Sequence, residues 1–275
     1  MEDGLHAYRG DTIAAQLYVR LFTARTRDID ESWNTTDVYS SYWRLYVNES
    51  PGARITLPGG VTHELVPEAV HLIPAWMRFS CSATGTIRHH YAHFELVGLA
   101  PQVSRAVFAA PIRVEPPVCE LAQGFGRSAE DGASLGDGLR TKAACYGALA
   151  EAIEALPAAR LAVLSRHGLA REQVDRALDH MDRHLGDDLR ITDIAGLCGY
   201  SADHFIRRFR RAIGQTPSAY LTERRVATAS QLLVFTDLTI DEIAERVGYR
   251  NRYYFTRVFA RTMGTPPARY RRVEV

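Results

Sequence analysis

The sequence predicts an α+β chain of two unlike domains: a β-rich amino-terminal part, a helical linker, and an all-α carboxyl-terminal part. Three observations carry this. Residues up to about 110 break short aromatic and β-branched runs with Pro-Gly turns, and residues 191–270 contain an internal repeat. Charge is also unevenly spread: residues 199–275 hold 14 arginines against 7 acids, whereas residues 1–198 hold 19 basic and 25 acidic groups. The 275 residues, 46% hydrophobic and 24% charged, suffice for two ordinary cores and exclude disorder and collagen. Cys81, Cys119, Cys145 and Cys198 are far apart, so neither a thiolate metal site nor a disulfide framework is expected, which fits a reducing cytoplasm. The start, MEDGLHAYRGD, lacks a charged-then-apolar leader, and Glu151, Glu154, Pro157 and Arg160 interrupt the most apolar long stretch, Ala143–Leu164. A cytoplasmic chain with no membrane partner is expected.

In chain order, Ser40–Asn48, Ala53–Leu57, Ala69–Ile73 and Thr86–Val97 read as strands, separated by Pro51-Gly52, Pro58-Gly59-Gly60, Pro67 and Thr84-Gly85. This is an antiparallel all-β pattern. In the last run, period two sends His89, Tyr91, His93 and Glu95 to one face and His90, Ala92, Phe94 and Leu96 to the other. Imidazoles and a phenol suit ligand hydroxyls, so the polar face is a candidate cavity lining, with Arg44 and Trp76 as further candidates; an exposed strand face is the alternative. For Trp43 and Trp76 plain core is the competing expectation. His63-Glu64, His89 and His93 supply no complete metal-ligand set, so a metal-dependent enzyme joined to a DNA-binding appendage is the rival reading. With no nucleophile elbow, phosphate-cradling loop or dinucleotide fingerprint, no catalytic residue, metal or cofactor is expected.

Pro111–Ser134 is a proline- and glycine-bearing connector. Beyond it, Leu139, Ala143, Tyr146, Leu149, Ala150, Ile153 and Leu156 recur at helical spacing. That face must bury itself against the β domain, the carboxyl domain or a second copy of the chain. His180 and His184, on an arginine- and aspartate-rich helix, are expected to face solvent.

Ile191–Tyr220 aligned with Ile240–Tyr270, with one extra residue near Arg250–Asn251, gives identity at Ile191/Ile240, Ile194/Ile243, Ala195/Ala244, Gly199/Gly248, Tyr200/Tyr249, Phe205/Phe255, Arg207/Arg257, Phe209/Phe259, Arg211/Arg261, Gly214/Gly264, Pro217/Pro267 and Tyr220/Tyr270. Each copy reads as a helix-turn-helix, 191–214 and 240–264. A short helix ends at a glycine that frees the turn, and a second helix buries phenylalanines at i and i+4. That stripe turns Arg207, Arg208, Arg210 and Arg211, or Arg252, Arg257 and Arg261, to solvent. Ser218–Val234 between the copies is a helical strut, long enough with its flanking turns to set the second helices about 34 Å apart, one turn of B-DNA.

These residues, above all IDEIAERVGYRNRYYFTRVFARTMGTPPARYRR, resemble the AraC/XylS family of transcription regulators over Leu169–Arg272. The resemblance implies a seven-helix DNA-binding domain at 169–275 and a linker at 111–168 that pairs two copies. It also implies a cupin-like β-barrel sensor at 1–110. Base-facing positions then fall on Ser201, Asp203, Ile206 and Arg207, and on Arg252, Tyr253, Thr256 and Arg257, with Arg250 and Asn251 leading the second helix into DNA. Arg208, Arg210, Arg211 and Arg261 would hold phosphates. Asp203 and Ile206 are unusual groove readers, so the first copy is expected to be less sequence-specific. Sugar-sensing members carry a histidine and an aromatic two apart where His89 and Tyr91 stand. The implied partners are double-stranded DNA, a small-molecule effector of carbohydrate type, a second copy of the chain, and RNA polymerase.

Overall fold

The computed structural model describes residues 17–67, 69–115, 134–172 and 174–274, together with Ala14. The amino-terminal part is built of β1 (Tyr18–Ile29), β2 (Thr35–Tyr39), β3 (Trp43–Asn48), β4 (Ala53–Thr56), β5 (Thr62–Glu64), β6 (Val70–Ile73), β7 (Arg78–Ala83), β8 (Ile87–Val97) and β9 (Ile112–Val114). They form a five-stranded sheet, β1-β8-β3-β6-β9, and a four-stranded sheet, β2-β7-β4-β5, antiparallel throughout. Ile29, Tyr46, Ile73 and Ile87 of the first sheet share one buried cluster with Val38, Ile55, Phe79 and Cys81 of the second, so the sheets pack face to face. Gly52 (φ +118) turns β3 into β4, where an added Cβ would lie 2.8 Å from the Thr84 carbonyl oxygen.

The expected strands are present with trimmed ends: Ser40–Tyr42 precede β3, and Leu57 follows β4. β1, β2, β5, β7 and β9 have no counterpart among the runs singled out from sequence. β1 places Arg25 and Arg27 opposite Tyr91 and His89, so arginines occupy inward positions and erase the apolar alternation. β7 buries the small Cys81 and Ala83 beside Phe79, too weak a period-two signal to stand out.

The outer face of the five-stranded sheet carries Trp43, Leu45, Leu72, Ala92, Phe94 and Leu96, and helices cover it. These are α1 (Pro101–Val107) and α2 (Leu135–Glu154), with α3 (Ala158–Glu172) packed on α1. A capping box between Ser134 and Asp137 starts α2. Its buried stripe is Ala144, Cys145, Ala148, Leu149 and Ala152, which corrects the face expected from Leu139 and Tyr146, 58% and 42% exposed. Small residues let the helix approach the sheet closely, while the Tyr146 hydroxyl accepts from the backbone N–H of Val19 in β1. The expected connector lies outside the described residues from 116 to 133, and Cys119 with it.

Residues 174–274 fold into α4 (Asp175–Arg183), α5 (Ile191–Leu197), α6 (Ala202–Ile213), α7 (Pro217–Phe235), α8 (Ile240–Arg246), α9 (Arg252–Met263) and α10 (Pro267–Glu274). The first copy of the repeat closes its own core: Ala177, Leu178 and Met181 meet Ile194, Phe205, Phe209 and Tyr220. The second does not. Its Ile243, Phe255, Phe259 and Tyr270 join Val226 and Leu233 of α7 in an apolar cluster continuous with the outer face of the β-sheet. The strut α7, about 28 Å long, therefore packs against both the repeat and the sheet.

Polar contacts reinforce that docking. The Arg224 guanidinium of α7 bonds the buried Glu95 carboxylate of β8 at 2.5 Å and Asp182 of α4 at 2.9 Å, while Arg20 reaches Glu95 at 3.2 Å. Ser41 and Ser230 share a 2.7 Å hydrogen bond, Arg105 of α1 pairs with Glu223 at 3.0 Å, and the Gln102 amide donates to the carbonyl of Ile213, the last residue of α6. Burial alone would raise the Glu95 pKa, but Arg224, by charge and hydrogen bond, overcompensates and holds the carboxyl below its ordinary 4.5. A depressed carboxylate pKa adds stability that is complete above that value and lost as pH falls through the folded pKa. Glu95→Gln should therefore cost about 3 kcal/mol at neutral pH and flatten the acid limb of a thermal-unfolding profile against pH; a parent-like acid limb would contradict this account.

Candidate nucleic-acid interface and effector cavity

Two helices of like build present the arginines. α6 buries Phe205, Phe209 and Ile213 and exposes Ser201, Asp203, Arg207, Arg210 and Arg211, with Ile206 and Arg208 half-buried. α9 buries Phe255, Val258, Phe259 and Met263 and exposes Arg252, Tyr253, Arg257 and Arg261, with Thr256 half-buried. Both end on a left-handed glycine, Gly214 (φ +87) and Gly264 (φ +79). Apart from the buried apolar residues, these are the positions expected to meet DNA, and most of them are open to solvent.

Several of these side chains have local partners. Arg208 lies over the Tyr200 ring at 5.3 Å, and Arg257 over Tyr254 at 5.7 Å. Arg250 pairs with Asp188 at 3.2 Å and Arg252 with Asp241 at 2.8 Å; both are surface pairs that exchange readily for a phosphate or base. Asn251 caps α9 through its side-chain oxygen, which accepts from the Tyr254 N–H, so its role in the free chain is structural. Two exposed positions escaped the sequence reading: His204 and Tyr254 stand at matching places in the two copies, and the repeat alignment itself pairs them.

The two copies also touch. The Arg225 guanidinium donates to the carbonyls of Leu185 and Asp187 and lies over the Tyr249 ring at 5.6 Å, packing the segment after α4 against the turn between α8 and α9. An added Cβ at Gly248 (φ +82) would sit 2.8 Å from the Leu185 carbonyl oxygen and 2.6 Å from Arg225 Nη2, whereas one at Gly199 (φ +73) would meet nothing within 4 Å.

On the other side of the strut lies a cavity of about 1030 Å³ between the concave face of the five-stranded sheet and the carboxyl-terminal helices. Strand register builds its wall as a grid. Thr23, His93 and Arg44 stand side by side across β1, β8 and β3; Arg25, Tyr91 and Tyr46 form the next row; Arg27, His89 and Asn48 the third. Trp33, Phe79 and Cys81 face them, and Leu233–Asp237 with Arg271 and Arg272 close the end. Phe235 packs among Phe22, Tyr42 and His93 with ring centroids 5.1, 5.3 and 6.0 Å away. The Nδ1 of His89 hydrogen-bonds Asn48 at 2.6 Å, and burial, with Arg27 and His90 nearby, pushes its pKa down to about 3. Burial and the charge of Arg44 likewise hold His93 well below the usual histidine range, so both rings are neutral acceptors or donors.

Of the expected ligand-facing residues, the structure brings His89, Tyr91, His93 and Arg44 to the cavity and leaves two elsewhere. Glu95 lies beyond the β1 bulge, where α7 covers the strand and Arg224 takes its carboxylate. Trp76 is buried at φ +64 between the Tyr39 ring and Arg105. His63 bonds His71 at 2.9 Å in a separate pair on β5 and β6, and does not join His89 and His93. Among the described residues no group of three or more His, Cys, Asp or Glu side chains could hold a metal ion, and no helix is long and apolar enough to cross a membrane.

A chain with two like helix-turn-helix units strung on one rod belongs to the tandem helix-turn-helix class. Residues 201–273 match the family model described as a helix-turn-helix domain. The MmsAB operon regulatory protein of Pseudomonas aeruginosa is 34% identical over 92 residues, 34% of this chain and 30% of that protein. The regulatory protein PocR of Salmonella typhimurium is 33% identical over 99 residues, 36% of this chain and 33% of its own length. The matched segment thus spans about a third of these curated relatives. A crystal structure of ToxT from Vibrio cholerae aligns with 95% of this chain and 99% of its own at TM-score 0.51 and 12% identity, which shows a shared fold of β domain and helical domain. The carboxyl-terminal region of this chain is an AraC/XylS-type helix-turn-helix domain.

The contact at Gly248 separates the two copies experimentally. Gly248→Ala should cost about 2 kcal/mol, because Arg225 must leave the Leu185 carbonyl, while Gly199→Ala should cost only the backbone strain of about 1 kcal/mol. Urea unfolding of the two variants tests this; equal losses would mean that the copies do not brace each other there.

Proposed function

We propose that this chain is a sequence-specific, DNA-binding transcription regulator whose activity follows a small molecule held in the cavity beside the strut. The observation that carries this is the duplicated recognition helix. Arginine recurs at the same two places in each copy, Arg207 with Arg257 and Arg211 with Arg261, on faces left open to solvent while the phenylalanines opposite are buried. In this reading Ser201, Asp203, Ile206, Arg207, Arg252, Tyr253, Thr256 and Arg257 meet base edges, and Arg208, Arg210, Arg211, Arg250 and Arg261 meet phosphates. The two helices enter successive major grooves about 34 Å apart. Four of the six ligand candidates, His89, Tyr91, His93 and Arg44, line the effector site.

The division into a cupin-like sensor (1–110), a linker (111–168) and a DNA-binding domain (169–275) belongs to the same proposal, with β9 adding Ile112–Val114 to the sensor sheet. Pairing of two copies would use the start of α2, where Leu135 and Leu139 are 84% and 58% exposed. RNA polymerase is the further protein partner, and the cytoplasm the place of action. The effector acts on DNA binding through contact: its cavity is closed by the last residues of α7, the rod that spaces the recognition helices. A coupling of ~1–3 kcal/mol between the two sites is enough for control.

Fluorescence anisotropy against DNA from upstream of neighbouring genes tests the reading. Arg257→Ala should lose ~1–3 kcal/mol at one base position, whereas Arg211→Ala should weaken every site alike and lower the slope of log K against log salt by about one. Parent-like binding by both variants, or no preference for any fragment, removes the proposal.

A further inference from the structure

The cavity has a chemical bias that its neutral histidines hide. Arg25 and Arg27 of β1, Arg44 of β3, and Arg271 and Arg272 of α10 all line it, against only Asp28 and Asp237. The arginines come from both sides of the gap: three from the β-sheet and two from the last helix of the DNA-binding domain. Arg25, Arg27 and Arg272 form no ion pair among the described residues, and Arg27 lies 5.7 Å over the Tyr91 ring, while Arg271 donates to the carbonyls of Leu233 and Leu238. Like charges gathered around one space from two domains repel, and only an anion between them turns that repulsion into attraction.

The wall also discriminates among anions. A monocarboxylate on a long alkyl chain would neutralise one cation and lay its tail beside Thr23 and His93, leaving the buried His93 Nδ1 unpartnered. The grid instead offers hydrogen-bonding groups beside ring faces, with Tyr91, Tyr46, Phe79 and Trp33 around the same space. His93 Nδ1 is buried with no hydrogen-bond partner among the described residues, a group that waits for one. Guanidinium forks match phosphate oxygens in pairs, and a phosphate monoester carries close to two charges at neutral pH.

We infer that the occupant is a phosphate monoester of a ring-bearing small molecule, its phosphate held between the arginines of β1 and those of α10 and its ring against the aromatic side chains of the grid. This rests on the regulator reading for its consequence and not for its chemistry. A ligand that touches both domains stabilises their docked arrangement by its binding free energy, so occupancy locks α7 and α10 onto the sheet.

Thermal shift and isothermal titration of the full chain at constant ionic strength test it, with adenosine monophosphate and glucose 6-phosphate as probes and glucose, citrate, decanoate and added sodium chloride as comparisons. The expected result is a rise in Tm with either phosphate ester beyond that with every comparison, and at least a tenfold weaker affinity in Arg25→Ala and Arg27→Ala, whose exposed side chains put folding at no risk. Arg257→Ala, which does not line the cavity, should keep the parent affinity; a loss there would move the binding to the recognition helices and overturn the inference. Citrate or decanoate matching the phosphate esters, glucose alone binding, or no probe exceeding sodium chloride would overturn it too. DNA affinity measured on the same preparations keeps the two readings apart: phosphate binding in a chain that ignores DNA sinks the regulator and spares the ligand, and the converse result sinks the ligand alone.

Discussion

The docking of one helix on one sheet governs the arrangement of the rest. α7 has two clients: its apolar stripe completes the core of the second helix-turn-helix, and Arg224, Ser230 and Phe235 along the same helix contact Glu95, Ser41 and Phe22 of the β domain. Because the second copy closes its core with Val226 and Leu233, it has no fold independent of that rod. The buried Glu95–Arg224 pair pins the rod in register. A buried ion pair contributes little net stability compared with an apolar pair, but it punishes any misalignment with an unpaired buried charge. Here that penalty falls on a single helix lying between two domains, so it specifies their relative placement.

This arrangement makes the carboxyl-terminal repeat asymmetric. The first copy is self-contained, packed around Phe205, Phe209 and Tyr220. The second shares its interior with the β domain through α7. The two are also braced against each other, with Arg225 holding the segment after α4 onto the turn at Gly248. Duplication of a motif thus gives two copies of one buried stripe set among different neighbours. The buried faces kept the repeat, with Ile194/Ile243, Phe205/Phe255 and Phe209/Phe259 identical, while the solvent faces share Arg207/Arg257 and Arg211/Arg261 and differ at Asp203/Tyr253 and Arg210/Ala260.

The cavity follows from the same docking. The sheet supplies most of its wall, and the last turn of α7 with α10 lines the remaining side, Phe235 set among Phe22, Tyr42 and His93. Whatever fills the space touches the spacing rod directly. In the proposed regulator, then, no chain of relayed side chains is required between effector and DNA: the strut is itself a wall of the effector site. Coupling of this kind needs only that the ligand contact the docked arrangement more fully than the undocked one.

What was legible from sequence is what local pattern encodes. Phenylalanines at i and i+4, glycines at the turns and arginines on the remaining face define the helix-turn-helix copies without reference to any neighbour, and period two places His89, Tyr91 and His93 on one side of β8. Three things lay beyond reach. β1 was hidden because Arg25 and Arg27 face inward towards a cavity, and a cavity is a property of several strands and helices together. Glu95 shares the alternation of His93 yet leaves the ligand face, since a helix 129 residues later covers that end of the strand with Arg224. The buried stripe of α2 shifted towards alanine and cysteine because the sheet admits a close approach there. Periodicity reports which side of an element is unlike the other, whereas the identity of what packs on each side depends on contacts distant in the chain, and those only folding supplies.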